Sequence, residues 1–190
     1  MRTFGIALLA AAAQAVPTAI FHGMGDACIY PGMHRFTKEI AAGTGDYADC
    51  VEVGNGSLTS LFENFEKQAE KACAKIQADS NFQVPEINVM GLSQGALIAR
   101  YIATSCDLGD TKVRNLASIG GPNMGVDAVP HCFSGFICEI VNSVARELVY
   151  LKIVQDHFGP AGYFRDVAHD SKYLKDSVFL PYMNNEEGDA

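Results

Sequence analysis

The chain is 190 residues long, 48% hydrophobic and 19% charged, a balance that fits a folded globular protein and excludes a disordered or low-complexity one. Its 14 basic and 22 acidic residues leave a formal charge of -8, so no electropositive surface awaits nucleic acid or anionic lipid. Eighteen glycines and seven prolines, spread along the sequence, fit an α/β protein with many tight loops and speak against a helical bundle or coiled coil.

Residues 1–15 have the layout of a secretory signal peptide: Arg2 is a basic start, Phe4 to Ala13 is almost wholly apolar, and Ala13-Gln14-Ala15 is a small-x-small cleavage site. At about ten residues the apolar run is half of what a bilayer span requires, and no later run is longer, so no integral membrane segment is expected. The expected mature unit is one domain, residues 16–190. Its six cysteines (Cys28, Cys50, Cys73, Cys106, Cys132 and Cys138) are an even number in an oxidising context and point to disulfides, with connectivity open. Structural zinc is disfavoured, because there is no Cys-x-x-Cys pair and no histidine at finger-like spacing from two cysteines. Asn55-Gly56-Ser57 is a glycosylation acceptor triplet.

Along the mature chain, strands alternate with helices. Thr18 to Phe21 is a short β-rich run ending at His22-Gly23-Met24-Gly25, and Tyr47 to Val53 is a second strand. From Leu58, apolar residues at 61, 62, 65, 69, 73 and 76 recur at helical spacing and predict one amphipathic helix, with Ser60-Leu61-Phe62-Glu63 as its capping box. Glu86 to Met90 is a third strand, Ala96 to Ala103 a helix and Leu116 to Ile119 a fourth strand. This alternation predicts a mainly parallel sheet with helices on both faces. A second amphipathic stripe runs from Ile137 to Leu151, either packing on the core or walling a ligand groove. From Tyr163 onward the chain reads as polar and irregular apart from Val178-Phe179-Leu180.

The chemistry centres on Ser93. Gly91-Leu92-Ser93-Gln94-Gly95 is the G-x-S-x-G nucleophile elbow, which lifts a serine hydroxyl clear of the sheet on a sharp strand-to-helix turn. The pattern alone is weak; its position between an apolar strand and a helix is what supports it. A nucleophilic serine also needs backbone N–H donors for the tetrahedral oxyanion, one from the following residue and one from a loop after an earlier strand. Gln94 and Met24 are the expected donors. His22, on the same loop, reads as a hydrogen-bonded structural histidine rather than a catalytic one.

Four ordered segments resemble the palmitoyl-protein thioesterases: Pro17 to Asp26, the Gly91 to Gly95 elbow, Ser118-Ile119-Gly120-Gly121-Pro122-Asn123-Met124-Gly125, and Phe179 to Glu186. The resemblance implies an α/β-hydrolase fold, a lysosomal or extracellular setting, and substrates that are S-palmitoylated proteins or other fatty acyl thioesters. It implies Ser93 as nucleophile, Met24 and Gln94 as oxyanion amides, and an acyl groove formed after Pro122. It matches Cys73 with Cys106 and Cys132 with Cys138 as disulfides, and Cys28 with Cys50 follows as a further expected pair. No metal or organic cofactor is implied. The oligomeric state is open.

The same resemblance expects the catalytic acid and histidine from later strands, beyond Ala190, so the fold is expected to be truncated at the C-terminus. Within the sequence, Asp166 with His169 and Asp156 with His157 are the only substitute dyads after the elbow, and both read better as surface loop residues. Two further readings stay open: a noncatalytic acyl-binding protein of the same fold, and a serine carboxylesterase or lipase acting on oxyesters.

Overall fold

The computed structural model describes residues 16–127 and 148–186. The expected signal peptide, the Cys132–Cys138 pair and most of the 137–151 stripe lie outside the described residues. Four parallel strands, β1 (Thr18–Phe21), β2 (Ala48–Cys50), β3 (Glu86–Leu92) and β4 (Lys112–Ile119), form one sheet in the order β2-β1-β3-β4. The chain steps outward from β1 to β2, crosses back to set β3 on the other side of β1, and continues outward to β4. Right-handed crossovers that run in opposite directions put their helices on opposite faces. Accordingly α1 (Pro31–Thr44) packs on β2, whereas α3 (Phe65–Ala78) and α4 (Gln94–Thr104) pack together and α4 covers β1, β3 and β4.

The core lies between the sheet and the α3/α4 layer. Along β3 burial alternates, with Ile87, Val89 and Gly91 facing those helices and Asn88 and Met90 half-buried on the other face. α3 contributes Phe65, Ala69, Ala72 and Ile76 at helical spacing, and α4 contributes Leu97, Ile98 and Ile102. With β2, β4 is one of the two sheet edges among the described residues. Its Lys112, Arg114 and Asn115 are exposed, as are Leu116 and Ile119, which is why its first half escaped a reading based on apolar runs.

Several expectations are corrected. The helix predicted from Leu58 is two, α2 (Ser57–Phe62) and α3, broken at extended Glu63. Asn64, not Ser60, caps α3, accepting from the Lys67 amide at 3.0 Å. α1 carries little apolar pattern to predict it, since Met33 is its only buried residue, although Pro31 at its start and left-handed Gly45 at its end are the standard start and stop signals. The second strand is shorter than predicted. The segment after Tyr163 is ordered: α5 (Lys152–His157) and a 3₁₀ turn (Gly159–Tyr163) lead into α6 (Asp170–Asp176) and α7 (Leu180–Met183).

Buried aromatic side chains hold that segment down. Phe65 meets Phe179 and Tyr163 edge-on, with ring centroids 4.7 and 5.3 Å apart. Arg100 of α4 reaches Asn184 Oδ1 at 2.7 Å and also donates to the Met183 carbonyl. Arg165 pairs with Asp170 and Glu186 and lies over the Tyr173 ring. Two disulfides, Cys28–Cys50 and Cys73–Cys106, tie the β1 loop to β2 and α3 to the end of α4.

Glycine 95 fixes how close α4 comes to the sheet: a Cβ there would lie 2.3 Å from the Phe21 carbonyl oxygen and 2.4 Å from that of His22. Gly43, on the exposed side of α1, has open space. Gly95→Ala is therefore expected to abolish cooperative folding, whereas Gly43→Ala raises stability by about 0.5–1 kcal/mol; thermal melts of the two variants check this.

Candidate active site

The sheet order dictates where the site forms. β1 and β3 are neighbours in register, with Phe21 opposite Gly91, so the loops that leave their carboxyl ends emerge side by side at the point where the strand order reverses. The β3 loop is the elbow. Ser93 is exposed and sits at φ 50°, a left-handed conformation rare outside glycine, between the strand and the first turn of α4. Its amide donates to the Ile119 carbonyl at 2.8 Å, which ties the bend to the end of β4. Gly91 permits the bend, since a Cβ there would meet the Gly95 carbonyl at 2.1 Å. The motif's glycines thus let the elbow strand, α4 and the end of β1 touch through backbone. Gln94 occupies the first turn of α4, where amides have no intrahelical acceptor.

The β1 loop packs against this bend. Gly23 is so near that a Cβ on it would lie 3.3 Å from Ser93 Cβ. Met24 follows at the apex of a turn closed by the Asp26 amide on the Gly23 carbonyl, 3.2 Å. Sequence reasoning placed Met24, Ser93 and Gln94 in one site, and the structure brings their segments together.

His22 is buried, with Nδ1 2.8 Å from the Gly23 carbonyl and Nε2 2.8 Å from Glu52 Oε1. The other Glu52 oxygen accepts the Cys28 amide at 2.8 Å, and Oε1 also takes the Val53 amide at 3.2 Å. One carboxylate therefore pins both ends of the loop that carries Met24. His22, Cys28 and Glu52 are close enough for a metal ion, but the Cys28 sulfur is committed to Cys50 and offers no thiolate.

Beneath the elbow lies a polar network that the sequence did not reveal. Gln94 is 2% exposed; its Nε2 donates to the Ser60 carbonyl at 3.0 Å and to Gln68 Oε1 at 3.1 Å. That fixes Gln94 Oε1 as an acceptor, and the buried Tyr163 hydroxyl donates to it at 2.8 Å. Burial pushes the Tyr163 phenol well above the usual tyrosine range, so it remains a donor. The Ser60 hydroxyl accepts the Gly25 amide at 2.8 Å and donates to the Ser57 carbonyl. The adjoining cavity, bounded by Phe21, Val51, Gln68 and Ile98, is of about one water's size and too small for an acyl chain.

The substitute dyads fare differently. His169 Nδ1 lies 2.9 Å from Asp166 Oδ2, but His169 is 70% exposed and Asp166 also takes the Ala168 amide, the geometry of a turn leading into α6. Asp156 and His157 do not pair: Lys152 bonds Asp156 and holds its carboxyl below the usual range, while His157 Nδ1 bonds the Ile153 carbonyl.

A left-handed serine between a parallel strand and a helix, at the switch point of a parallel sheet, defines the α/β-hydrolase class. The palmitoyl protein thioesterase family model matches residues 17–190, and the chain belongs to that family. It is 31% identical to palmitoyl-protein thioesterase 1 of Caenorhabditis elegans, covering 92% of this chain and 60% of that protein. It is 32% identical to palmitoyl-protein thioesterase 3 of Dictyostelium discoideum over 72% of this chain and 45% of the relative. It is 30% identical to the lysosomal thioesterase PPT2 homolog of Drosophila melanogaster, over 90% of this chain and 57% of that one. The chain spans about half the length of these relatives. Among the described residues no helix is long and apolar enough to cross a membrane.

Glu52→Ala removes three bonds and leaves the Cys28 amide and His22 without their shared acceptor. The expected cost is about 1–3 kcal/mol of stability, read as a lower denaturant midpoint with unchanged slope.

Proposed function

We propose that this chain carries the nucleophile and oxyanion hole of a thioesterase that releases long fatty acyl groups from cysteine thioesters of S-acylated proteins. The observation that carries the reading is Ser93, exposed and left-handed at the elbow, with the β1 loop packed against it through Gly23. In this reading Ser93 Oγ attacks the thioester carbonyl carbon and the carbonyl π electrons move onto oxygen. The Met24 and Gln94 amides then donate to the resulting oxyanion. Collapse expels the cysteine thiolate, whose conjugate acid has a pKa of about 8.5 and so leaves with less help from an acid than an alkoxide needs. Water then hydrolyses the acyl-serine and frees the fatty acid. By the family resemblance, the proton of Ser93 Oγ goes to a histidine paired with an acid, a dyad that neither Asp166 with His169 nor Asp156 with His157 supplies in its present geometry.

The setting belongs to the same proposal. Residues 1–15 direct the chain into the secretory route, residues 16–190 form the hydrolase unit, and Asn55, exposed on a turn, carries a glycan. The two disulfides and a relative named lysosomal support a lysosomal or extracellular compartment.

Release of palmitate from an S-palmitoylated protein tests the function. Protein that includes the histidine and acid of the triad is expected to release it, and Ser93→Ala in that protein to fall by on the order of a million-fold, to background. Release that survives Ser93→Ala overturns the assignment. A matched oxyester cleaved faster than the thioester transfers the chain to the carboxylesterases, and wild-type protein that binds the palmitoyl thioester without cleaving it is an acyl-binding protein.

A further inference from the structure

The two proposed oxyanion donors come from segments 70 residues apart, yet two residues reach both, Ser60 through its hydroxyl and its backbone carbonyl and Tyr163 through its phenol. Ser60 holds the Gly25 amide, next to Met24, with its hydroxyl, and takes Gln94 Nε2 on its carbonyl, at 2.8 and 3.0 Å. Tyr163 gives its one phenolic hydrogen to Gln94 Oε1 at 2.8 Å, and the same oxygen lies 3.7 Å from Met24 Sδ. Ser60 and Tyr163 are 3% and 4% exposed, and they arrive from different elements, α2 and the 3₁₀ turn. Neither belongs to a strand or helix that carries a donor.

We propose that Ser60 and Tyr163 are positioning residues, a cross-brace that sets the separation of the Met24 and Gln94 amides. The inference rests on the reading of those amides as the oxyanion hole and deepens it. The physical basis is the cost of breaking these bonds: the Gln94 side chain is buried and the Gly25 amide half-buried, so neither can shift without giving up a hydrogen bond to Ser60 or Tyr163. An oxyanion hole works only if its donors are already at hydrogen-bond distance from the developing charge, so a brace of this kind acts on turnover and leaves substrate affinity alone.

Cross-site amide exchange on ¹⁵N-labelled protein is the test. Tyr163→Phe keeps the ring against Phe65 and deletes only the hydroxyl; Ser60→Ala deletes only the hydroxyl that holds Gly25. If the two act as one brace, Tyr163→Phe speeds exchange of the Gly25 amide, which Tyr163 does not touch, by about tenfold. Ser60→Ala does the same to the Gln94 side-chain amide, while the Val89 amide in β3 keeps its rate. In thioester hydrolysis by protein that includes the triad's histidine and acid, kcat falls about tenfold in each variant with KM unchanged, and the double variant is no worse than either single one. Met24→Leu, at the half-exposed end of the brace, is the variant to use if the buried ones do not fold, and it is expected to speed Gln94 side-chain exchange severalfold. Exchange that changes only beside each substitution overturns the brace. Turnover indifferent to Ser93→Ala, with the cross-site exchange intact, overturns the hydrolase reading instead.

Discussion

The contact between Gly95 and the carbonyls at the end of β1 is the constraint on which the rest depends. It brings the axis of α4 close enough to the sheet for Gly91 and Gly95 to touch through backbone, and it leaves the intervening serine only a left-handed conformation. A residue held at φ 50° costs about 1–3 kcal/mol and persists only where its surroundings leave no alternative. Here the surroundings are the hydrogen bond that the Ser93 amide donates to the Ile119 carbonyl at the end of β4, the packed face of α4, and a β1 loop with no side chain at Gly23.

Electrostatics around the site is arranged to hold the loop. Glu52, two residues past the end of β2, puts one carboxylate against the loop after β1, where it gathers an imidazole and two amides. The Cys28–Cys50 crosslink acts on the same loop from its far end. Covalent and polar restraints therefore converge on a segment that has almost no apolar side chains of its own to bury. The 148–186 segment is anchored the other way, by Phe179, Leu180 and Tyr173 in the core and by two arginines that collect carbonyls and carboxylates at its end.

How much of this was legible follows from which physics was local. Strands β1 and β3 and helix α4 declare themselves by apolar content and by punctuation, and the elbow by two glycines at fixed spacing. The joining of the His22 to Asp26 loop with Ser93 followed from strand-loop-strand logic. Ser60 shows the limit: within the sequence it sits where a capping residue belongs, but its hydroxyl finds a loop 35 residues upstream. Tyr163 and Glu52 carried no signal, because their partners lie 69 and 30 residues away and hydrogen bonds of that span leave no periodicity. α1 had clear end signals but little apolar face, and β4 was masked by the polar residues an edge strand tolerates.

The register that sets Thr18 beside Asn88 also bears on how the molecule comes into being. β1 first meets β2, and the strand that will carry the serine must then insert on its other flank after a long excursion of chain. Closing a loop of that length costs entropy before any contact repays it, so of the two pairings of β1 the one with β3 carries the larger closure cost. Until that pairing occurs, β1 has one open flank, and the bridge between Cys28 and Cys50, only 22 residues apart, closes a much shorter loop on the other.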